Sequence, residues 1–123
     1  MPQRWTVEFF EDENGCPVRE FLDTLDAPRR AKVLAIIQVL AEHGPTLPFP
    51  YSSQIDRKLR ELRTHYGSEA YRVLYFGSPG RMFVLLHGFV KRTEKTRLED
   101  IAVAERRMRA YVESRSPRRG PKS

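Results

Sequence analysis

Cysteine is almost absent: Cys16 stands alone among 123 residues, so neither an intrachain disulfide nor a cysteine-based zinc cluster can form. Long apolar runs are missing too. No stretch approaches the roughly 20 apolar residues of a membrane-spanning helix, and Met1 to Glu8 contain no apolar segment of signal length. These absences lead us to expect a soluble protein of the reducing cytoplasm, with no membrane partner. The chain also lacks a glycine-rich phosphate loop, since Gly77-Ser78-Pro79-Gly80 has only the composition of a turn. No carboxylate, histidine or cysteine cluster has metal-ligand spacing, so neither a metal nor an organic cofactor is expected.

What the chain does have is positive charge in particular places. Its net charge is +6, but residues 1–56 carry 5 basic and 9 acidic side chains, whereas residues 57–97 carry 10 and 3. Residues 98–105 are acidic, and residues 106–123 carry 7 basic side chains and 1 acidic. An uneven basic stripe favours a polyanion such as nucleic acid over a small neutral substrate; a solvated basic surface is the plainer alternative. The apolar content of 40% suffices for one core at this length. We therefore read residues 1–113 as one domain and residues 114–123 as a basic, disordered tail.

Periodicity orders the elements. Trp5, Val7 and Phe9 alternate with Thr6 and Glu8, the pattern of a short strand that ends at the turn Glu11-Asp12-Glu13-Asn14-Gly15. Pro17 suits a first helical turn, and Val18, Phe21, Leu22 and Leu25 give that helix one apolar face. Asp26 is placed as the N-cap of a second helix, with Val33, Ile36, Ile37, Leu40 and Ala41 as its buried stripe and Gly44-Pro45 as its stop. Residues 44–56 contain three prolines and are read as an irregular surface loop. Strands are expected at 59–64, 70–77 and 81–90, joined by tight turns into an antiparallel meander. Leu98, Ile101, Ala102, Met108, Tyr111 and Val112 return to helical spacing. The expected fold is α+β, in the order βααβββα: a small antiparallel sheet packed by an N-terminal helical hairpin and a C-terminal helix.

The best strand signal, Met82-Phe83-Val84-Leu85-Leu86, runs directly towards the cationic stretch Lys91-Arg92-Thr93-Glu94-Lys95-Thr96, and Arg63 and Arg72 lie inside the two preceding strands. The element order, together with Glu61-Leu62-Arg63, Tyr71-Arg72-Val73-Leu74-Tyr75 and Leu86 to Thr96, resembles the HigB-like, phage-derived-protein-like branch of the RelE/ParE toxin superfamily over most of residues 5–113. The resemblance implies a toxin of a type II toxin–antitoxin module, one that cuts mRNA on the translating ribosome and is held inactive by a HigA-like antitoxin with a DNA-binding helix-turn-helix. Three positions depart from the pattern. Arg97 stands where proline is common, Arg92 where a second lysine is common, and Tyr111, on an apolar helix face, is no counterpart of the C-terminal tyrosine that RelE uses.

RNA cleavage without a metal needs fixed cations where negative charge collects on the phosphoryl oxygens. Arg63 and Arg72 suit that role, since guanidinium stays charged and binds two oxygens at once. Arg92 aligns with a site arginine of RelE-like chains, and Lys91 completes the catalytic candidates together with His87. The general base is open between His87, Glu61 and a lysine. Lys58, Arg60, Tyr71, Lys95 and Arg97 are the expected RNA-binding side chains, and Tyr71, Tyr75 and Phe89 could stack on bases. The plainer readings are salt bridges from the strand arginines to acids of the first two helices, a structural histidine, Glu61 as local partner of Arg63 or Lys58, and aromatics that simply fill the core. Competing functions are a ParE-like, non-enzymatic inhibitor of DNA gyrase and a degenerate member that only binds RNA or its antitoxin.

Overall fold

The computed structural model describes residues 4–92 and 98–115. The tail beyond residue 115, and with it most of the expected disordered end, lies outside the described residues. Strand β1 (Thr6–Phe9) leads to helices α1 (Pro17–Asp23) and α2 (Ala27–His43), and a 3₁₀ turn (Gly44–Thr46) follows. Strands β2 (Ser52–Asp56), β3 (Leu59–Tyr66), β4 (Glu69–Ser78) and β5 (Met82–Lys91) come next, and α3 (Leu98–Arg115) closes the described chain. The strands form one sheet in the order β1-β5-β4-β3-β2.

The fold is α+β as expected, with two differences in the sheet. Part of the expected loop, Ser52–Asp56, is an edge strand antiparallel to β3. Its prolines, Pro45, Pro48 and Pro50, all precede it, so no missing amide interrupts the pairing. The sheet is also mixed rather than antiparallel throughout, because β1 pairs parallel to β5, Val7 opposite Phe83. The helical hairpin carries the chain from β1 across one face to β2 at the far edge, and β2, β3 and β4 lead back to β5 beside β1.

Capping follows the sequence closely. Asp26 accepts the amide of Arg29 at 3.1 Å, and Pro17 opens α1. The corner between α1 and α2 is tied by Arg30, which donates to the carbonyls of Leu22 (3.0 Å), which also accepts the Leu25 amide, and of Leu25 (2.6 Å).

Both faces of the sheet are buried. On one, Val18, Leu22, Val33, Ile37 and Leu40 of the hairpin pack on Leu62, Val73, Tyr75, Phe83 and Leu85; on the other, Ala104 and Tyr111 of α3 pack on Leu59, Leu74, Phe76, Val84 and Leu86. The stripe of α3 differs from the expected one. Tyr111 is buried as expected, but Leu98 and Val112 are exposed, and Asp100 and Ala104 are buried in their place.

One irregularity sets the phase of β5. Leu74 pairs with His87 and Tyr75 with Leu85, leaving Leu86 as the extra residue of a bulge. Strict alternation from Val84 and Leu86 would turn Gly88 and Val90 towards α3. The bulge instead turns His87 and Phe89 that way, and Gly88 and Val90 towards the hairpin. A Cβ on Gly88 would lie 2.5 Å from the ring of Phe21. We predict that Gly88→Ala costs about 1–3 kcal/mol through this overpacking, read as a lower midpoint in urea unfolding; an unchanged midpoint would contradict the close approach.

Candidate functional site

Cross-strand register brings the expected catalytic arginines together. Arg63 of β3 is opposite Arg72 of β4, and Arg72 is opposite Phe89 of β5, so the three stand side by side on the face that α3 covers further along. The adjoining row is Glu61, Leu74 and His87. Two like charges directly opposite repel, and the site offsets this with a carboxylate from the neighbouring row. Arg63 Nη1 donates to Glu61 Oε1 at 3.2 Å, and Arg72 Nε lies 3.7 Å from the same oxygen. The acid that holds the strand arginines is therefore Glu61 of β3. Glu61 is only 3% exposed, which makes it a counter-ion to its two neighbours in geometry.

Arg72 is 7% exposed, and its Nη1 donates to the carbonyl of Tyr71 at 3.0 Å. Its Nε is buried and has no hydrogen-bond partner among the described residues. Burial first, and then the charge of Arg63, hold its pKa below the ordinary arginine value, while Glu61 works in the opposite direction. A buried cation with a donor to spare is primed to gain from an anionic oxygen.

His87 is fixed from α3. Its Nε2 meets Asp100 Oδ1 at 2.8 Å, and its ring stacks on Phe89 with centroids 5.3 Å apart. Arg107 Nη1 donates to the Leu86 carbonyl at 2.8 Å and approaches His87 Nδ1 at 3.4 Å. Because arginine only donates, Nδ1 is the accepting nitrogen and Nε2 carries the proton towards Asp100. Burial, above all, lowers the pKa of Arg107. Asp100 and Arg107 were not among the residues expected from sequence. Polar residues at positions 100 and 107, on the same helical stripe as Ala104 and Tyr111, are the signal that could have found them.

The remaining expected residues divide. Lys91 ends β5 with its Nζ buried, and Arg92 follows it, exposed. Lys58 is exposed between β2 and β3. Arg60 and Tyr71 are not brought to this row. Arg60 is three residues from Arg63 and Tyr71 is adjacent to Arg72, so strand alternation turns both towards the hairpin. There Arg60 donates to Ser52 Oγ (3.0 Å) and Gln54 Oε1 (2.8 Å), and the buried Tyr71 donates to Glu69 at 2.6 Å. Burial and that hydrogen bond raise the pKa of Tyr71, and no ring face is left for a base. Tyr75 is likewise core, bonded to Ser52 at 2.7 Å; of the three aromatics only Phe89 stands in the row. Lys95 and Arg97 lie outside the described residues. Tyr111 is in the apolar layer, its hydroxyl donating to Glu8 at 2.8 Å. Among the described residues no three His, Cys, Asp or Glu side chains are arranged to hold a metal ion.

A groove of about 500 Å³ lies between α2 and the part of β3 that extends past β2, lined among others by Lys32, Ile36, Tyr51, Arg63 and Arg72. It gives the strand arginines a side open to a ligand. Their charge balance is testable by unfolding. Glu61→Leu strands the charge of Arg72 in the interior and should cost about 3–5 kcal/mol, and Arg72→Met added to it should recover a large part. Additive losses in urea unfolding of the two single variants and the double variant would contradict the coupling.

No helix among the described residues is long and apolar enough to cross a membrane. No curated protein matches the chain. Residues 20–109 match the family of phage-derived Gp49-like proteins, a span that runs from α1 through the whole arginine row and Arg107. Such proteins are commonly toxins of toxin–antitoxin systems, which in general implies an antitoxin partner. The chain belongs to this Gp49-like family, one of the RelE/ParE-like toxin families.

Proposed function

We propose that the protein is a HigB-like mRNA endonuclease that acts on the translating ribosome in the cytoplasm and is neutralised by a HigA-like antitoxin with a helix-turn-helix. The observation that carries this reading is the paired, strand-borne guanidinium groups of Arg63 and Arg72, fixed by buried Glu61 with the Nε of Arg72 unfilled. In metal-free cleavage the ribose 2′-oxygen attacks the adjacent phosphorus and loses its proton. A 2′,3′-cyclic phosphate forms, and the 5′-oxygen leaves and takes up a proton. Negative charge grows on the non-bridging oxygens, where two preorganised guanidinium groups act without further reorganisation. Lys91 and Arg92 supply further positive charge at the end of β5, and Lys58, Lys95 and Arg97 serve the flanking phosphates.

The proton carriers follow from what the side chains already do. Glu61 is committed to two arginines, and His87 presents its protonated nitrogen to Asp100. His87 thus needs a rearrangement around Asp100 before it can exchange a proton with RNA. This same observation favours the second reading, a toxin that works by binding alone, as a ParE-like gyrase inhibitor does.

Primer-extension mapping of mRNA 5′ ends in a cell-free translation reaction separates the two. With the wild-type protein we predict new ends that vanish when ribosomes are omitted. Arg63→Ala and Arg72→Met should lower their yield by about 10²-fold or more, as loss of a group that stabilises transition-state charge does. Intact message in every lane, alongside inhibition of DNA supercoiling by purified gyrase, would move the assignment to the gyrase reading.

A further inference from the structure

We propose that Phe49 and Tyr51 form a stacking platform for unpaired RNA bases beside the strand arginines. The inference rests on the ribonuclease reading and names how that site would hold its substrate. Among the described residues these two are the only exposed phenylalanine and tyrosine, at 68% and 50%. Both belong to the short segment between the 3₁₀ turn and β2, which the sequence marks only by its prolines.

The segment is held rather than loose. Leu47 anchors it in the core, the amides of Tyr51 and Ser52 donate to the carbonyl of Pro48 at 2.9 and 3.1 Å, and the amide of Arg63 donates to the carbonyl of Tyr51 at 2.9 Å. That last bond ties the aromatic segment to the arginine row itself. The guanidinium of Arg63 lies over the Phe49 ring, 5.0 Å from its centroid. A backbone fixed in this way, with the Phe49 ring under a guanidinium, reduces the ordering that binding would otherwise require.

Charge selects the occupant. Tyr51 and Pro50 line the groove that Lys32, Arg63 and Arg72 also line, and among the described residues no carboxylate lines it. A nucleotide matches this arrangement in both halves: its phosphate suits the cations and its base suits the ring faces. Every base has a π-face, so such a platform grips a single strand without selecting a sequence.

The test measures binding without cleavage, by fluorescence anisotropy of a labelled short oligoadenylate in which 2′-O-methyl groups block attack. Phe49→Ala and Tyr51→Ala should each weaken binding about tenfold, in keeping with the worth of one base–aromatic stack, whereas Phe49→Trp should retain it. An otherwise identical abasic strand should bind the wild-type protein no better than the alanine variants bind the oligoadenylate. Thermal unfolding of each variant confirms that these surface changes leave the fold intact. If both alanine variants bind as tightly as wild type while Arg63→Ala does not, the platform is wrong and the RNA reading stands. If the wild-type protein binds neither this strand nor ribosome-bound message, both fall. If RNA binding is unchanged and binding of the antitoxin is lost instead, the rings are a protein-docking surface and the platform is again wrong.

Discussion

Glu61 sits between Arg63 and Arg72, and the arrangement of the candidate site depends on that one buried charge. Its carboxylate is within 3.2 Å of one guanidinium and 3.7 Å of the other. Without it, two cations would stand opposite each other on adjacent strands, one of them almost wholly buried, and both desolvation and repulsion would drive them apart. The pair is not an efficient way to stabilise a fold, because hydrophobic residues of similar size would fill the same space without the desolvation cost. What it provides is position. Two strands of a sheet hold the side chains at a fixed spacing, and the guanidinium groups spend little rotamer freedom on binding an anion.

The second constraint is the bulge at Leu86. By inserting one residue it changes which half of β5 faces α3, and it frees the Leu86 carbonyl to accept from Arg107 at 2.8 Å. His87 is thereby placed against Asp100 and Phe89, and the start of α3 is pinned to the sheet beside the arginine row. Gly88 and Phe21 record the same phase from the opposite face, where the close approach leaves no room for a side chain. Packing on one face and polar contacts on the other thus fix a single register for the strand that leads to Lys91 and Arg92.

Much of this was legible in the chain. The helical hairpin, its Asp26 cap and the three-strand meander follow from apolar spacing, proline and glycine, and strand alternation alone puts Glu61 on the face of Arg63. The cross-strand pairing of Arg63 with Arg72 needed the register of the β3–β4 turn, which is set by Gly67 at φ +60°. Alternation also argues against Arg60 and Tyr71 as companions of Arg63 and Arg72, since odd spacings point to opposite faces. The edge strand Ser52–Asp56 was hidden by the prolines before it and by its polar composition, because its order comes from pairing with β3 rather than from its own pattern. Asp100 and Arg107 were hidden for another reason: a polar residue on an apolar stripe reads as solvated until a partner across the sheet is known.

The central claim is that Arg72, together with Arg63, donates from its guanidinium to a phosphate oxygen of the RNA. The most direct measurement is the proton–nitrogen NMR spectrum of the arginine side chains during titration with an RNA strand that cannot be cleaved. The account predicts that the Nε–H signals of Arg72 and Arg63 move together and saturably, while that of Arg30, engaged with the Leu22 carbonyl away from the row, stays in place. Movement confined to exposed arginines such as Arg92, with Arg72 unchanged at saturation, would contradict it.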